Sequence, residues 1–406
     1  MKYVILLGDG MADEPQAALN GKTPLEYANT PFMDEIAARG ETGLLETVPD
    51  GLPPGSDVAN LSAFGYDPRA CYSGRSPLEA ASMGVSLGPR DVAFRLNLIC
   101  LEEDGEGRTC MRDFSAGHIS TEEAQKIVAT LSEKLGGADF DFYSGISYRH
   151  LMVWHNGFAD MRLVPPHDIS RQPVADFLPQ GEGGAELLKL MKAASEILKD
   201  HPVNAARKAS GKLPANAIWL WGQGHAPKIV PLRERFGIGG AVISAVDLIR
   251  GIGVCAGLDV IKVPGATGYL DTNYEGKADA ALEALGRHDF VYVHVEAPDE
   301  MSHEGSLEKK LKAIELFDKL VVGRVLRGLE RLEPFRVAVL PDHPTYIRTM
   351  THASEPVPYA LLGSSGEFSG TCKARGFNEV EAARVGRPCC GGWTLLERMV
   401  RGPENP

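Results

Sequence analysis

Three apolar runs in this chain end in residue types that bind divalent cations. "YVILL" (3–7) runs into Gly8-Asp9-Gly10. "FVYVHV" (290–295) leads to Asp299 and His303, four residues apart. "RVAVL" (336–340) leads to Asp342-His343, with His352 shortly after. Short, continuous, β-rich apolar runs read as strands covered on both faces. In open α/β sheets, sites form at the carboxyl ends of such strands. Carboxylate oxygen combined with neutral imidazole suits Mn²⁺, Zn²⁺ or Mg²⁺. The ligands are too many for one tetrahedral ion and about right for two.

A fourth stretch, "PPGSDVANLSAFGYDP" (53–68), sets two prolines and a glycine before Ser56. Ser56 suits a helix N-cap, Asp57 a first turn, and Val58, Leu61 and Phe64 an apolar face. The same position suits a nucleophile, because a helix N-terminus offers N–H groups and a favourable dipole to a phosphate. Nothing within the stretch decides between the two roles.

The elements that must hold these residues alternate. "NTPFMDEIAARG" (29–40) reads as a helix with Thr30 as cap, Pro31 at the first position and Gly40 as stop. Residues 306–332 read as one long amphipathic helix, and "YALLG" (359–363) as a strand. Strands alternating with helices imply an α/β fold with a mostly parallel sheet. The middle differs. Residues 93–115 alternate like an antiparallel hairpin around Asp104-Gly105. A helix over 120–135, a strand over 145–155, a Pro/Gly-rich stretch (164–184) and a helix over 185–200 follow. This reads as a smaller α+β module over 89–214, inserted into a discontinuous catalytic domain of 1–88 and 215–406. The crossings fall near Gly88–Asp91 and Lys212–Ala217.

Bulk properties bound the function. The chain has 406 residues, enough for two domains, with 44% hydrophobic and 24% charged residues. A net charge of −12 with no basic tract argues against nucleic acid as partner. No apolar stretch approaches the length of a membrane span. The opening "MKYVILLGDG" reads as a buried strand, not a signal peptide. The cysteines, Cys71, Cys100, Cys110, Cys255, Cys372, Cys389 and Cys390, are odd in number and form no C-x-x-C. Reduced thiols in a cytoplasmic protein are expected.

In order and type, Asp9, Ser56, Asp299-x-x-x-His303, Asp342-His343 and His352 resemble the two-metal set of the alkaline phosphatase superfamily. The chain is most similar to the shorter, archaeal-type branch of the cofactor-independent phosphoglycerate mutases. "LLGDGMAD" (6–13), the Ser56 stretch, "YSGRSPLEAASMGV" (72–85), "DFSAGHIS" (113–120), "VPGATGYLDTNYEGKA" (263–278) and "APDEMSHEG" (297–305) carry the likeness, which covers nearly the whole chain. The resemblance implies an alkaline-phosphatase-like α/β sheet with an inserted lid. It implies that Asp9, Ser56, Asp342 and His343 hold one ion and that Asp299, His303 and His352 hold another. Ser56 would be the nucleophile. Two divalent ions are implied, Mn²⁺ first and Zn²⁺, Mg²⁺ or Co²⁺ as alternatives, with no 2,3-bisphosphoglycerate. The chain departs from the longer bacterial mutases at Gly55 and Ala59-Asn60, and "WLWGQGHAP" (219–227) lacks the Arg residues found there.

A phosphoglycerate needs Arg for its carboxylate and phosphate. The inserted module and its approach offer Arg75, Arg95, Arg112, Arg149 and Arg162. His118 and Arg149 are the leading substrate residues, joined by Arg95 and by Lys262 after "GLDVI". The expected activity is interconversion of 3-phosphoglycerate and 2-phosphoglycerate through a phosphoserine. The alternatives are a metal-dependent phosphomonoesterase and a homoserine-kinase-like phosphotransferase, the latter without any P-loop to support it. The partner is a small phosphorylated acid, and a homo-oligomer is compatible with the sequence.

Overall fold

Asp9, Glu296 and Asp342 are brought level by strand register. In the computed structural model, which describes residues 1–369 and 373–403, the strand Lys2–Gly8 lies between Phe290–Val295 and Phe335–Leu340, parallel to both. Gly8 pairs with Val295, and Leu7 with Leu340. The three chains therefore leave the sheet at one edge. Every residue from Val4 to Leu7 is fully buried, as a parallel strand covered on both faces requires.

The chain forms two compact units, residues 1–72 with 228–406, and residues 73–227. The first is a mixed α/β unit with a mostly parallel central sheet. Among the described residues its eight strands run in the order Asp259–Ile261, Gly240–Ile243, Phe290–Val295, Lys2–Gly8, Phe335–Leu340, Val357–Gly363, Glu41–Glu46 and Arg387–Gly391. The first five are parallel, and Val357–Gly363 is antiparallel to both its neighbours. One layer of the core joins Val4, Leu6, Val291, Val293, Val337 and Val339 to helices that include Pro31–Arg39 and Tyr274–Leu285.

Helix Pro31–Arg39 starts and stops where the sequence expects, with Gly40 at its end. Its cap differs. Thr30 makes no capping bond, and the buried Asp318 carboxylate instead accepts the N–H groups of Met33 (2.7 Å) and Phe32 (3.3 Å). Asp318 lies on a π-turn, Phe317–Val322, that interrupts the expected long helix between Leu307–Leu316 and Gly323–Leu329. The wider turn is the place where the rod meets the neighbouring helix terminus.

The second unit is built on a twelve-residue strand, Val92–Glu103. Its last residues pair with Thr109–Asp113 in the expected hairpin. Its first half lies between Arg149–Trp154 and Ala217–Gly224, antiparallel to both. Phe140–Ile146 completes the five strands seen among the described residues. Phe94, Leu96, Leu98 and Met152 pack against helices Thr121–Leu135 and Gly184–Lys199. The chain crosses between units at 72–73 and 227–228, outside the bounds drawn from sequence. The short helix Ser76–Ser82 packs on strand Val92–Glu103, and Ala217–Gly224 pairs with it, so both belong to this unit.

The described cysteines are free thiols, and Cys372 lies outside the described residues. No helix among the described residues is long and apolar enough to cross a membrane.

Candidate active site

Ser56 is the first residue of helix Ser56–Ala63, and Gly55 occupies the cap position without a side-chain cap. A Cβ on Gly55 would meet the Asp57 carboxylate at 2.8 Å, which accounts for glycine there. Ser56 Oγ lies 3.2 Å from His343 Nε2. Asp9, Asp342 and His343 are all fully buried, and their ligand atoms lie within 4.8 Å of one another. Asp299, His343 and His352 form a second such group. His303 joins it, with Nε2 3.1 Å from Asp299 and 2.9 Å from His352 Nε2. His343 thus stands in both groups.

The imidazoles are oriented by their other nitrogens. His303 Nδ1 lies 2.9 Å from the Met350 carbonyl, which can only accept, so that nitrogen carries the proton. Thr345 Oγ1 donates to Asp299 Oδ1 at 2.5 Å and therefore accepts from His343 Nδ1 at 3.2 Å. Both rings point Nε2 at the carboxylates, the atom left to ligate a metal; with no cation present, the Asp299 carboxylate raises the His303 pKa to about 9.

Asp342 is held from three sides. Gly10 N and His343 N donate to Oδ1, and Asn60 Nδ2 donates to Oδ2 at 2.8 Å. Tyr292 OH donates to Asn60 Oδ1, and its ring stacks on Phe64 at 3.9 Å between centroids. Asn60 lies one turn after Ser56 on the same helix, so one amide ties the serine helix to a strand end. Gly10 has φ +62°, and a Cβ there would meet Asp299 Oδ1 at 2.6 Å.

The cluster is over-supplied with negative charge. Burial, then Asp342, Glu296 and Asp299, push the Asp9 carboxyl well above its usual range. Asp9 Oδ1 is buried without a hydrogen-bond partner. Orphaned carboxylate oxygen, converging carboxylates and imidazole nitrogens fit divalent cations.

The other sequence-derived residues are not members of these ligand groups. Arg95, Arg149 and His118 belong to the second unit. Arg95 donates to Glu79 at 3.0 Å and lies over the Trp221 ring at 5.0 Å. Arg75 approaches the same Glu79 at 3.6 Å. Burial lowers the Arg95 pKa; Glu79 opposes this, and Arg75 and Arg149 add to it. Two guanidiniums thus share one carboxylate, and Arg149 is near enough to Arg95 to bear on its charge. Arg149 lies over the Tyr148 ring, whose other contacts include His118 and Phe114. His118 ends three successive left-handed residues, Ala116 (φ 49°), Gly117 (φ 64°) and His118 (φ 49°). Asp113 Oδ1 accepts from Ser115 N, Ser115 Oγ and Gly117 N, and Arg207 donates to Ala116 O, holding a backbone that non-glycine residues adopt at a cost. Arg112 is exposed and pairs with Glu102. Lys262 follows the sheet's edge strand, Asp259–Ile261, two strands from Phe290–Val295.

Sequence reasoning passed over His294, Glu296, Asn60, Tyr292 and Thr345. His294 carried a signal: an ionisable residue inside an otherwise apolar, fully buried strand.

An α/β sheet that collects buried carboxylates and imidazoles at its strand ends, beside a helix-borne serine, defines a class of protein built for phosphoester chemistry. A family model for 2,3-bisphosphoglycerate-independent phosphoglycerate mutase matches residues 37–204. The chain is 57% identical over 400 residues, 98% of its length and 100% of the relative's, to the probable 2,3-bisphosphoglycerate-independent phosphoglycerate mutase of Geobacter sulfurreducens. It is 57% identical over 363 residues, 89% of this chain and 90% of the other, to the corresponding mutase of Methanosarcina acetivorans. The solved PH0037 protein from Pyrococcus horikoshii superposes with a TM-score of 0.81 at 32% identity, covering 100% of this chain and 99% of that one. The cofactor-independent phosphoglycerate mutase of Thermoplasma acidophilum shares the fold, with a TM-score of 0.65 at 24% identity over 99% of both chains. The chain belongs to the 2,3-bisphosphoglycerate-independent phosphoglycerate mutases.

Proposed function

We propose that this enzyme interconverts 3-phosphoglycerate and 2-phosphoglycerate through a phosphoserine at Ser56, using two divalent cations. One observation carries the reading: Ser56 Oγ, at a helix N-terminus, lies 3.2 Å from an imidazole that belongs to both ligand groups. Asp9, Ser56, Asp342 and His343 would hold one cation, and Asp299, His303 and His352 the other. When bound, the cations lower the serine hydroxyl pKa and offset charge on the phosphoryl oxygens.

Ser56 Oγ gives up its proton and attacks phosphorus in line. The bond from phosphorus to the glycerate oxygen breaks, and that oxygen leaves with the electron pair and takes up a proton. The second glycerate hydroxyl then loses its proton and attacks the phosphoserine, and Ser56 Oγ leaves with the electron pair and regains a proton. No net proton or electron is consumed. The free N–H groups at the start of helix Ser56–Ala63 favour the phosphate. The guanidiniums of Arg75, Arg95 and Arg149 are suited to the carboxylate, because Arg binds it bidentately. Holding glycerate between the two transfers keeps water from taking the phosphoryl group.

The test is to strip the protein with chelator, restore Mn²⁺, add 3-phosphoglycerate, and follow 2-phosphoglycerate and free phosphate together. Isomerised product in metal-restored but not stripped protein supports the reading. Free phosphate without isomer would make the enzyme a phosphomonoesterase. Ser56→Ala is expected to abolish turnover while Mn²⁺ still binds. Activity within about tenfold of wild type, ~1.4 kcal/mol in barrier, removes Ser56 from the nucleophile role.

A further inference from the structure

His294 sits inside the apolar strand Phe290–Val295 and is fully buried. Strand alternation puts it on the same face as Tyr292. Tyr292 reaches Asp342 through Asn60, and His294 reaches Asp9 directly. Both ring nitrogens are engaged. Nε2 lies 2.9 Å from Asp9 Oδ2, and Nδ1 lies 3.2 Å from Ser244 Oγ.

The tautomer follows from Ser244. Its Oγ is buried and already accepts the Val246 N–H at 3.0 Å, which leaves the hydroxyl proton for Nδ1. A neutral ring that accepts at Nδ1 carries its proton on Nε2. That proton points at a carboxylate oxygen. The opposite tautomer would bury an unsatisfied Ser244 hydroxyl, which is unfavourable.

This separates His294 from His303 and His343, which are anchored through Nδ1 to Met350 O and Thr345 Oγ1 and keep Nε2 as the ligating atom. Asp9, His294 and Glu296 have donor atoms close enough for an ion of their own. A ring with its proton on Nε2 has no lone pair to give there.

We propose that His294 is a positioning residue for the metal centre. The chain Ser244–His294–Asp9 fixes Asp9 through Oδ2 and presents the unpartnered Oδ1, 3.5 Å from His343 Nε2, to the Asp342 group. Partners of this kind set ligand orientation and basicity, and their loss costs about 10–100-fold in metal affinity. The inference rests on the two-cation reading above.

The test is calorimetric titration of chelator-stripped full-length protein with Mn²⁺, in wild type, His294→Leu, His294→Gln and Ser244→Ala, with near-ultraviolet circular dichroism to confirm folding. Wild type is expected to take two ions. His294→Leu weakens one of them about 10–100-fold and leaves the other unchanged. His294→Gln, whose amide N–H replaces Nε2–H, recovers most of the loss. Ser244→Ala weakens the same ion by a smaller factor, and it carries the test if His294→Leu does not fold. Two unchanged affinities in Ser244→Ala and His294→Leu overturn this inference and leave the two-cation reading standing. A third ion in wild type that disappears in His294→Leu and in Glu296→Gln also overturns it, by making His294 a ligand. A wild type that binds no Mn²⁺ overturns both readings.

Discussion

Asn60 gives its amide N–H to Asp342 and takes the Tyr292 hydroxyl on its oxygen. One side chain closes a buried polar circuit between the Ser56 helix and a strand end. Asn60→Ala leaves both partners short of a bond in a dry site, at about 1–3 kcal/mol per group. It is expected to destabilise the protein by about 2 kcal/mol in urea unfolding and to slow turnover; an unchanged midpoint would show that the circuit carries no stability. His150, in the core of the second unit, gives a pH dependence in a unit that holds none of the candidate ligands. Its Nδ1 accepts Gly145 N–H, and burial pushes its pKa down to about 4. The unfolded ring titrates near ~6.5, so the unfolded state takes up a proton first as pH falls. The stability due to the neutral ring is complete above that value and is lost between it and about 4. Urea unfolding at pH 6.5 and 4.5 checks this. His150→Gln keeps an acceptor and should lose less stability across that interval than wild type, and equal losses would remove His150 from the acid limb. Aspartates and histidines at strand ends were legible because they recur together, carboxylate after three strands and imidazole with it at two. Asn60 and Tyr292 were not, because their roles depend on partners hundreds of residues away, and Thr345 was not, because a lone Thr after a strand carries no signal of its own.

Helix Pro31–Arg39 shows what local sequence does and does not carry. Pro31 and Gly40 mark its limits, and the structure keeps them. Its N–H groups go to Asp318, a residue that no local rule connects with it. Asp318→Ala is expected to destabilise by about 1–3 kcal/mol, because buried backbone donors lose their acceptor. A midpoint shift within error would mean that water replaces the carboxylate. The π-turn carrying Asp318 was invisible for the same reason: residues 306–332 keep an amphipathic pattern straight through it. Strands 3–7, 290–295 and 336–340 were readable because parallel strands buried on both faces are continuous apolar runs. The strand Ala217–Gly224 was missed, since "WGQG" breaks such a run.

The molecule divides its residues cleanly between its units. All the candidate ligands lie in 1–72 and 228–406, while Arg75, Arg95, Arg149 and His118 lie in 73–227. If the division is functional, Arg149→Ala leaves Mn²⁺ binding unchanged. It lowers phosphoglycerate turnover by about 1.5–3 kcal/mol, the worth of a hydrogen bond to a charged group. It also raises the ratio of free phosphate to isomer, because glycerate held less firmly lets water compete. An unchanged rate and ratio would make Arg149 a surface charge.

The strand Lys2–Gly8 has both its sheet neighbours near the other end of the chain, at Phe290–Val295 and Phe335–Leu340. During synthesis this buried strand is made well before either of its partners. At about 5–20 residues per second, the nascent strand waits roughly 15–60 s for the first of them. Residues 73–227, a compact unit in their own right, are complete well before then and can fold during the wait. The sheet around Lys2–Gly8 can close only after Phe335–Leu340 has emerged, so an apolar segment that ends as deep core stays open to chaperones until then.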